Sequence, residues 1–209
     1  RADACVTMGS TGAAMAASAV ILGVIEGIDR PALGGPIIGL APRTVFIDVG
    51  TNVDCRPSQL LSFAVMGDIF ARQLWGVDKP RVGLLSVGAE AGKGNRQVRE
   101  TSELLASSNL NFIGNVEADE LLKSKADVIV CDGFVGNIVM KLTEALGAAL
   151  SDLVNSRLGD SSTDSEVAKL GREMYELTNP VETMGGGPLF GVNGVIVIGH
   201  GRARARAVK

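Results

Sequence analysis

The chain contains very little of what several common kinds of functional site require. Among its 209 residues there is a single histidine, His200, and aromatic residues make up only 4%. With one histidine, a hydrolase-type catalytic triad could form only around His200. A lone histidine more often has a structural role. The low aromatic content disfavours an aromatic-rich binding surface, and the net charge of −3 argues against nucleic acid as a partner.

Cysteines and long apolar runs are also scarce. Cys5, Cys55 and Cys131 are far apart, each beside apolar residues, which predicts buried thiols in a reducing cytosol rather than disulfides. They lack a metal-ligand spacing, and we expect neither a metal nor a cofactor. The longest apolar run, residues 12–25, is too short to span a bilayer, and no signal peptide is visible. We therefore expect a cytoplasmic protein.

The alternation of strand-like and helix-like segments indicates the fold class. Longer helical patterns alternate with short β-branched runs at 44–49, 81–87, 111–116 and 127–131. This βαβα order predicts an α/β fold with a mainly parallel sheet and helices on both faces. We interpret 1–209 as a single α/β domain. Because the chain opens at Arg1 without a methionine, we expect it to be a fragment of a longer protein.

Two regions have clear helical patterns. The apolar residues of 57–74 form one broad face, and Pro57 suits the first turn of a helix. From 136 onwards leucines recur at helical spacing, a polar stretch at 159–165 interrupts them, and the apolar spacing then resumes. We interpret 136–179 as a helical pair joined by a polar loop, which projects from the sheet or packs against it.

One loop has the composition of an anion site. Residues 88–95, Gly-Ala-Glu-Ala-Gly-Lys-Gly-Asn, follow a predicted strand and precede a helical pattern. Glycines let the backbone approach a ligand, helix-opening N–H groups attract anions, and Lys93 adds a positive charge. The loop matches neither the P-loop nor the dinucleotide fingerprint. Binding of a phosphate-like anion and a simple tight turn both remain open.

Three further loops, at 8–12, 48–54 and 132–137, combine glycine with small polar residues before a helical pattern. Ligands of parallel α/β sheets bind beyond the carboxyl ends of the strands. We therefore expect all four loops to lie at one sheet edge and to form a shared pocket. Besides Lys93 and Asn137, the predicted pocket residues are Ser10, Thr11, Gly12, Asn52, Asp54, Gly92, Gly94, Asn95, Asp132, Gly133 and Gly136.

Several of these residues also have a local structural interpretation. Ser10 and Thr11 would cap the following helix. Asp54 and Asp132 would form turns by bonding nearby backbone groups. Asn137 would simply start a helix, although its amide could also donate to an oxyanion.

Several motifs together resemble one enzyme family. They are Asp-Val-Gly-Thr-Asn-Val-Asp-Cys at 48–55, Gly-Lys-Gly-Asn at 92–95, Asp-Gly-Phe-Val-Gly-Asn at 132–137 and Gly-Pro-Leu-Phe-Gly-Val-Asn-Gly at 187–194. Over essentially its whole length the chain resembles the phosphate acyltransferase family of bacterial phospholipid synthesis, the PlsX family. The N-terminal segment of that family is absent. The resemblance implies a fold like that of isocitrate dehydrogenase and phosphotransacetylases.

The resemblance also implies a reaction. That family transfers a long-chain acyl group from acyl carrier protein to inorganic phosphate, forming acyl phosphate for phospholipid synthesis. Phosphate is already anionic and a thiolate leaves readily, so neither step requires a histidine. On this basis Lys93 and the 92–95 backbone would hold phosphate or the developing charge. Asn137 and the amides of 133–136 would serve the oxyanion.

The implied partners are acyl carrier protein, inorganic phosphate, a second copy of the chain and a membrane surface. Arg96 and Arg99 flank the Lys93 loop and are candidates for docking an acidic carrier. Segment 151–179 has three basic and six acidic residues, which disfavours an anionic bilayer and favours dimer packing.

An acyl chain would also need an apolar channel, although large apolar residues are usually core. The alternatives to a long-chain enzyme are a short-chain phosphate acyltransferase that uses acyl-CoA and a non-catalytic anion-binding module. The candidates for the channel are Phe63, Met66, Phe70, Leu142 and Leu146.

Overall fold

A computed structural model of the chain describes residues 2–158, 166–180, 182 and 185–201. These residues form eight strands, five α-helices and one 3-10 helix. The strands are β1 (Ala4–Thr7), β2 (Ala32–Gly35), β3 (Val45–Ile47), β4 (Arg81–Leu85), β5 (Asn111–Val116), β6 (Val128–Val130), β7 (Gly187–Phe190) and β8 (Val195–Ile198). The helices are α1 (Thr11–Ile21), α2 (Pro57–Trp75), α3 (Arg96–Ala106), α4 (Gly133–Leu158) and α5 (Glu166–Thr178), and the 3-10 helix is Ala118–Lys123.

The described strands join one sheet in the order β1-β8-β7-β2-β3-β6-β4-β5. Four neighbouring pairs are parallel: β1 with β8, β3 with β6, β6 with β4, and β4 with β5. The other three pairs, which all involve β2 or β7, are antiparallel. The predicted α/β fold with a mainly parallel sheet is therefore confirmed.

The antiparallel pairs change where the loops emerge. From β3 outward, β2, β7 and β8 each run antiparallel to the preceding neighbour, and β1 runs parallel to β8. β1 therefore points opposite to β3, β4 and β6, so the 8–12 loop leaves the sheet at the other edge from the loops after those strands. The expectation of one common edge is wrong for this loop, because strand direction depends on β2, β7 and β8, which the sequence pattern does not identify.

Alternating side chains of the central strands build a core on each face of the sheet. Val45 and Ile47 of β3 pack with Phe63 of α2, whereas Phe46 between them faces the other side together with Ile129 of β6. α2 and α3 cover the first face, and α1 and the first turns of α4 pack on the second. Helices on both faces are thus confirmed, and the core explains why the central strands are continuous apolar runs.

Four strands are predicted to within two residues, whereas β2, β7 and β8 are not predicted. β3, β4, β5 and β6 match the β-branched runs. β2 contains Gly34 and Gly35, and β7 begins Gly187-Pro188, residue types that are depleted in strands. At Gly34 the missing side chain is required by packing, because a Cβ there would lie 2.5 Å from the Phe46 carbonyl oxygen.

Local chemistry fixes both ends of α2. The helix starts at Pro57, as predicted, and the side-chain oxygen of Gln59 accepts from the N–H of the N-cap residue at 2.7 Å. It ends at Gly76, which has the left-handed φ of +66° that glycine adopts most readily.

α4 and α5 form the predicted helical pair. The Ser151 hydroxyl of α4 donates to the Gly171 carbonyl of α5 at 2.7 Å. The helices approach so closely that a Cβ on Gly171 would lie 2.5 Å from Asn155 Oδ1. At the other end of α5 the Gly39 N–H donates to the Leu177 carbonyl at 3.0 Å, so the pair also packs against the sheet domain.

The outer side of α4 is apolar and exposed. Within α4, Gly133–Ser156 is long and apolar enough to cross a membrane, a criterion that core helices of other proteins also meet. The predicted polar loop at 159–165 lies outside the described residues. The exposed leucines of α4 are Leu142, Leu146, Leu150 and Leu153.

Candidate active site

A buried carboxylate organises the loop after β3. Asp48 is fully buried, and its Oδ1 accepts from the N–H groups of Gly50 and Thr51, both at 3.0 Å. Its Oδ2 accepts from the Thr51 hydroxyl at 2.6 Å, the Asn52 N–H at 2.7 Å and the Asn52 side-chain amide at 2.8 Å. Charge-assisted hydrogen bonds of this length are strong, so Asp48 holds the 48–52 loop in one conformation.

Asn52 belongs to this loop scaffold. It is only 3% exposed, and its amide also donates to the Pro31 carbonyl at 2.8 Å. The sequence predicts Asn52 as a pocket residue, but its amide donors are directed to Asp48 and to the backbone. Asp54, two residues later, is exposed.

The first turn of α4 packs tightly on the 48–52 loop. A Cβ on Gly133 would lie 2.9 Å from backbone atoms of Asn52, and a Cβ on Gly136 would collide with the Asp48 carbonyl oxygen. Both glycines are therefore required for close approach. This packing accounts for them without a ligand.

The backbone amides at the start of α4 are already engaged. The Gly133 N–H donates to the Asn52 carbonyl at 2.7 Å, and the Gly136 N–H donates to the Asp132 carbonyl at 2.9 Å. The Val135 N–H donates to Asp132 Oδ1 at 2.8 Å, so Asp132 caps this helix. Three of the four amides predicted to hold an oxyanion thus serve capping and packing.

The Lys93 loop keeps the backbone geometry of an anion site. Gly92 and Gly94 have left-handed φ angles of +88° and +99°. Lys93 between them is exposed, and none of the ion pairs in the described part of the chain involves it. Asn95 caps α3, because its Oδ1 accepts from the Val98 N–H at 2.9 Å. The cation at the loop tip therefore faces solvent.

A cavity of about 660 Å³, which we call the apolar cavity, lies beside this loop. Its walls come from the end of β4, the start of α3, the segment after β5 and the first turns of α4. Its volume lies within the range of about 300–1,000 Å³ that is usual for small-molecule sites. It is lined by Leu85, Ser86, Val87, Gly94, Asn95, Val98, Glu117, Ala118, Asp119, Val135 and Val139.

A second cavity of about 250 Å³ borders α4 through Asn137, Met140 and Lys141. We call it the glycine-lined cavity, because eight of its lining residues are Gly9, Gly34, Gly35, Gly50, Gly186, Gly187, Gly199 and Gly201. Its polar side chains are Thr11, Asn137, Lys141 and His200. α4 thus contributes to both cavities through different residues of its first turns.

Lys141 and His200 belong to a charged network at the wall of the glycine-lined cavity. Lys141 Nζ lies 3.3 Å from His200 Nε2 and 3.2 Å from Glu144 Oε2. His200 Nδ1 lies 3.5 Å from Glu182 Oε1, and the other Glu182 oxygen accepts from the Tyr175 hydroxyl. Only His200 of these five residues is evident in the sequence, because the full set comes together only once α4, α5 and the end of β8 are packed.

A sequence profile of fatty acid synthesis proteins matches residues 1–209. The chain belongs to the fatty acid synthesis protein family. It is 46% identical to a phosphate acyltransferase from Desulforudis audaxviator and 45% identical to one from Salinibacter ruber. These alignments cover 100% and 99% of this chain but 63% and 62% of the relatives, so the chain spans less than two thirds of their length. The resemblance to the phosphate acyltransferase (PlsX) family is thereby confirmed.

The fold is similar to that of phosphotransacetylases, as predicted. EutD phosphotransacetylase from Staphylococcus aureus superposes with a TM-score of 0.59 at 17% identity, covering 99% of this chain and 60% of that one. A phosphotransacetylase from Streptococcus pyogenes gives 0.54 at 23% identity, covering 70% and 51%. At such low identity the likeness concerns the fold alone.

In this member of the fatty acid synthesis protein family, the two predicted catalytic residues border different cavities. Asn137 lines the glycine-lined cavity and lies against Gly50, where a Cβ would be 3.4 Å from Asn137 Oδ1. Lys93 stands on the loop that borders the apolar cavity through Gly94 and Asn95. Thr11, Gly50 and Asn137, which come from three of the four predicted loops, line the glycine-lined cavity together, whereas the Lys93 loop borders the apolar cavity. The structure thus brings three of the four loops together and places the fourth at a different cavity.

The predicted residues of the 8–12 loop also differ in whether they line a cavity. Thr11 lines the glycine-lined cavity, whereas Ser10 and Gly12 are exposed and line neither cavity. Ser10 is the N-cap residue of α1, but its side chain makes no capping hydrogen bond. The local interpretation of Ser10 as a side-chain cap is therefore wrong.

The expected apolar channel does not form from the candidate residues. Phe63 is fully buried and Met66 is 8% exposed, both in the core under α2. Phe70 stacks edge-to-face on Phe190 with ring centroids 5.0 Å apart. Leu142 and Leu146 are exposed on α4. For Phe63 and Met66 the core interpretation, which the residue types favour, is therefore the one that the structure supports.

Two of the three cysteines are buried. Cys55 and Cys131 are buried, as predicted, but Cys5 is exposed on β1. Burial, reinforced by the Asp48 and Asp132 carboxylates, raises the pKa of Cys55 to about 12, and burial likewise raises the pKa of Cys131. Among the described residues no group of three or more metal-ligating side chains comes together.

Proposed function

We propose that this chain forms the greater part of an enzyme that transfers a long-chain acyl group from acyl carrier protein to inorganic phosphate. The observation that carries the proposal is the exposed Lys93, held between two left-handed glycines at the rim of the apolar cavity. Membership of the fatty acid synthesis protein family and the name of its relatives, phosphate acyltransferase, support the transfer of an acyl group to phosphate.

The two parts of this site suit the two parts of the reaction. Lys93 provides charge and the glycines on either side of it provide backbone N–H groups for phosphate, whereas the Lys93 N–H itself donates to the Glu90 carbonyl at 3.2 Å. The apolar cavity offers about 660 Å³ for hydrocarbon, far more than an acetyl group would fill. This size favours a long-chain substrate over the short-chain alternative.

The chemistry requires positioning more than acid–base catalysis. A phosphate oxygen attacks the thioester carbonyl carbon, and the carrier thiolate leaves with the carbon–sulfur electron pair. Thiols have pKa values around 8.5, so the thiolate needs little assistance from a general acid. Holding phosphate beside the carbonyl then supplies most of the rate enhancement.

The carrier protein would approach from the side of α3. Arg96 and Arg99 are both exposed at the start of this helix, next to the Lys93 loop. Arg96 is bonded to Glu100 at 2.6 Å, an exposed pair that an acidic partner could replace. Arg99 provides a second exposed cation for docking.

The test is phosphate-dependent release of free carrier protein from long-chain acyl carrier protein by the full-length protein. We expect release only when phosphate is present, with acyl phosphate as the second product. Faster turnover of acetyl-CoA than of acyl carrier protein would favour the short-chain alternative. Binding of phosphate without release of carrier would identify an anion-binding module.

We also propose that the exposed apolar side of α4 pairs two copies of the chain. Leu142 is 65% exposed and Leu146 is 56% exposed, whereas leucines in a protein core are buried. A membrane surface is the competing partner for the same side. The acidic residues of α5 favour protein packing, because an anionic bilayer would repel them.

A further inference from the structure

The proposed reaction generates a negative charge on the former carbonyl oxygen, and that oxygen needs a hydrogen-bond donor. The amides of Gly133, Val135 and Gly136 cannot serve without breaking their present hydrogen bonds. Asn137 lines the other cavity. The fourth amide, that of Phe134, belongs to a residue that does not line the apolar cavity, which leaves the side chains of the cavity lining as candidate donors.

Ser86 lies at the required position. It follows β4 directly, and its backbone N–H donates to the Val116 carbonyl at 3.0 Å, which extends the pairing with β5. Its side-chain oxygen is buried, and within the described part of the chain that oxygen has no hydrogen-bond partner. The residue lines the apolar cavity.

The hydroxyl is adjacent to the Lys93 loop. A Cβ placed on Gly94 would lie 3.1 Å from Ser86 Oγ, so the hydroxyl packs beneath the glycine that follows Lys93. The φ of +99° at Gly94 turns the loop over this hydroxyl. Ser86 and Gly94 both line the apolar cavity, so a group bound there would lie close to the hydroxyl and to the residue that follows Lys93.

An unpaired hydroxyl in such a place is unfavourable for folding. Burial removes it from water, and no acceptor among the described residues lies within hydrogen-bond distance of it. An alanine at this position would fill nearly the same space without that cost. Buried polar groups of this kind are expected where a ligand or a bound water satisfies them.

We propose that Ser86 donates its hydroxyl hydrogen to the thioester carbonyl oxygen and stabilises the oxyanion that forms there, an inference that rests on the proposed function. A phosphate oxygen forms the new carbon–oxygen bond, and the carbonyl π electrons move to the oxygen held by Ser86. As the carbonyl re-forms, the carbon–sulfur bond breaks and the carrier leaves as thiolate. Ser86 keeps its proton throughout and contributes only a hydrogen bond.

The test uses Ser86→Ala and Ser86→Cys in the full-length protein, with Ser108→Ala as control. Ser108 is also partly buried, but its hydroxyl donates to the Leu105 carbonyl at 2.7 Å. Ser86→Ala is expected to lower kcat about a hundredfold, the typical effect of removing one oxyanion donor. Its KM for phosphate should change little, and its Tm should stay the same or rise. Ser86→Cys, a weak donor of similar shape, should lose activity in the same way.

The control is expected to show the opposite pattern. Ser108→Ala loses an existing hydrogen bond, so its Tm should fall while kcat is retained. An unchanged kcat in Ser86→Ala would overturn the proposal, and so would a fall in kcat that only follows a fall in Tm. If the wild-type protein releases no carrier at all, the proposed function fails rather than the role of Ser86.

Discussion

Asn52 donates twice to the same oxygen of Asp48, from its backbone N–H at 2.7 Å and from its side-chain amide at 2.8 Å. The pair closes the loop after β3 on itself, and the start of α4 packs on that closed loop. Both cavities border α4 just after this contact. The buried carboxylate thus positions the site residues without contacting a ligand.

Replacing Asp48 by asparagine should therefore destabilise the fold. An asparagine would place N–H groups where the carboxylate now accepts five hydrogen bonds, and each buried donor left unpaired costs about 1–3 kcal/mol. We expect the free energy of unfolding, measured by urea denaturation, to fall by about 3 kcal/mol or more. Asp54→Asn, at an exposed position of the same segment, should stay within about 0.5 kcal/mol of wild type. Equal stability of the two variants would contradict a scaffold role for Asp48.

Asn95 provides a test of capping against ligand binding in the Lys93 loop. Its side chain accepts from the Val98 N–H, so Asn95→Ala should lower the free energy of unfolding by about 1 kcal/mol. Asn95→Asp keeps an acceptor and should retain most of that stability. Thermal unfolding checks both variants, and a loss of phosphate affinity in Asn95→Ala without a change in Tm would favour direct binding instead.

The sequence pattern predicts the central part of the fold well, because burial determines it. β3, β4 and β6 are continuous apolar runs since both faces of the sheet are covered, and α2 is marked by its apolar face and Pro57. The sequence pattern does not indicate β2 and β7, because both contain residue types that are depleted in strands, Gly34 and Pro188. Gly34 is required by close packing rather than by strand propensity.

The site is predictable only where a residue has no local use. Lys93 is such a residue, since it is exposed and none of the ion pairs in the described part of the chain involves its charge. In the sequence, Gly136 and Asp132 also look like pocket residues. In the structure, Gly136 allows α4 to approach the 48–52 loop closely, and Asp132 caps α4. Ser86 gives no signal in the sequence, because a serine after a strand is ordinary and its unpaired hydroxyl becomes evident only in the packed structure.

Lys93→Met tests whether the charge of Lys93, rather than its packing, contributes to the proposed activity. The side chain is exposed, so the free energy of unfolding should change by less than about 0.5 kcal/mol. Loss of a cation that holds phosphate should lower kcat/KM for phosphate by at least about tenfold. Arg96→Met removes a cation three residues away and should affect the KM for acyl carrier protein instead. Normal phosphate kinetics in Lys93→Met would remove Lys93 from the site.

The exposed leucines of α4 give a prediction about assembly. Leu142→Asp combined with Leu146→Asp places two charges on the side proposed to pair two copies, and burying unpaired carboxylates is costly. We expect sedimentation velocity to show a shift from dimer to monomer. Val20→Asp, at an 84% exposed position of α1, is the matched control and should leave the sedimentation coefficient unchanged.

Flotation with anionic liposomes decides between the two proposed partners of this side. If α4 packs against a second copy, the double variant should change the sedimentation coefficient and leave the floated fraction as in wild type. A wild-type protein that is monomeric and floats, and that no longer floats after the double substitution, would identify the membrane as the partner.

The thiols provide a prediction that depends on pH. Cys5 is exposed, whereas Cys55 and Cys131 are buried, so alkylation of the native protein at pH 8 should modify one thiol and alkylation in denaturant should modify three. The folded state raises the pKa of Cys55 to about 12 by burial, and the unfolded thiol has a pKa near 8.5. Folding therefore favours the protonated thiol. Its contribution to stability is complete below about pH 8 and decreases as the pH rises towards 12. Urea denaturation at pH 8 and pH 10 measures this loss, and Cys55→Ala should reduce the difference between the two pH values.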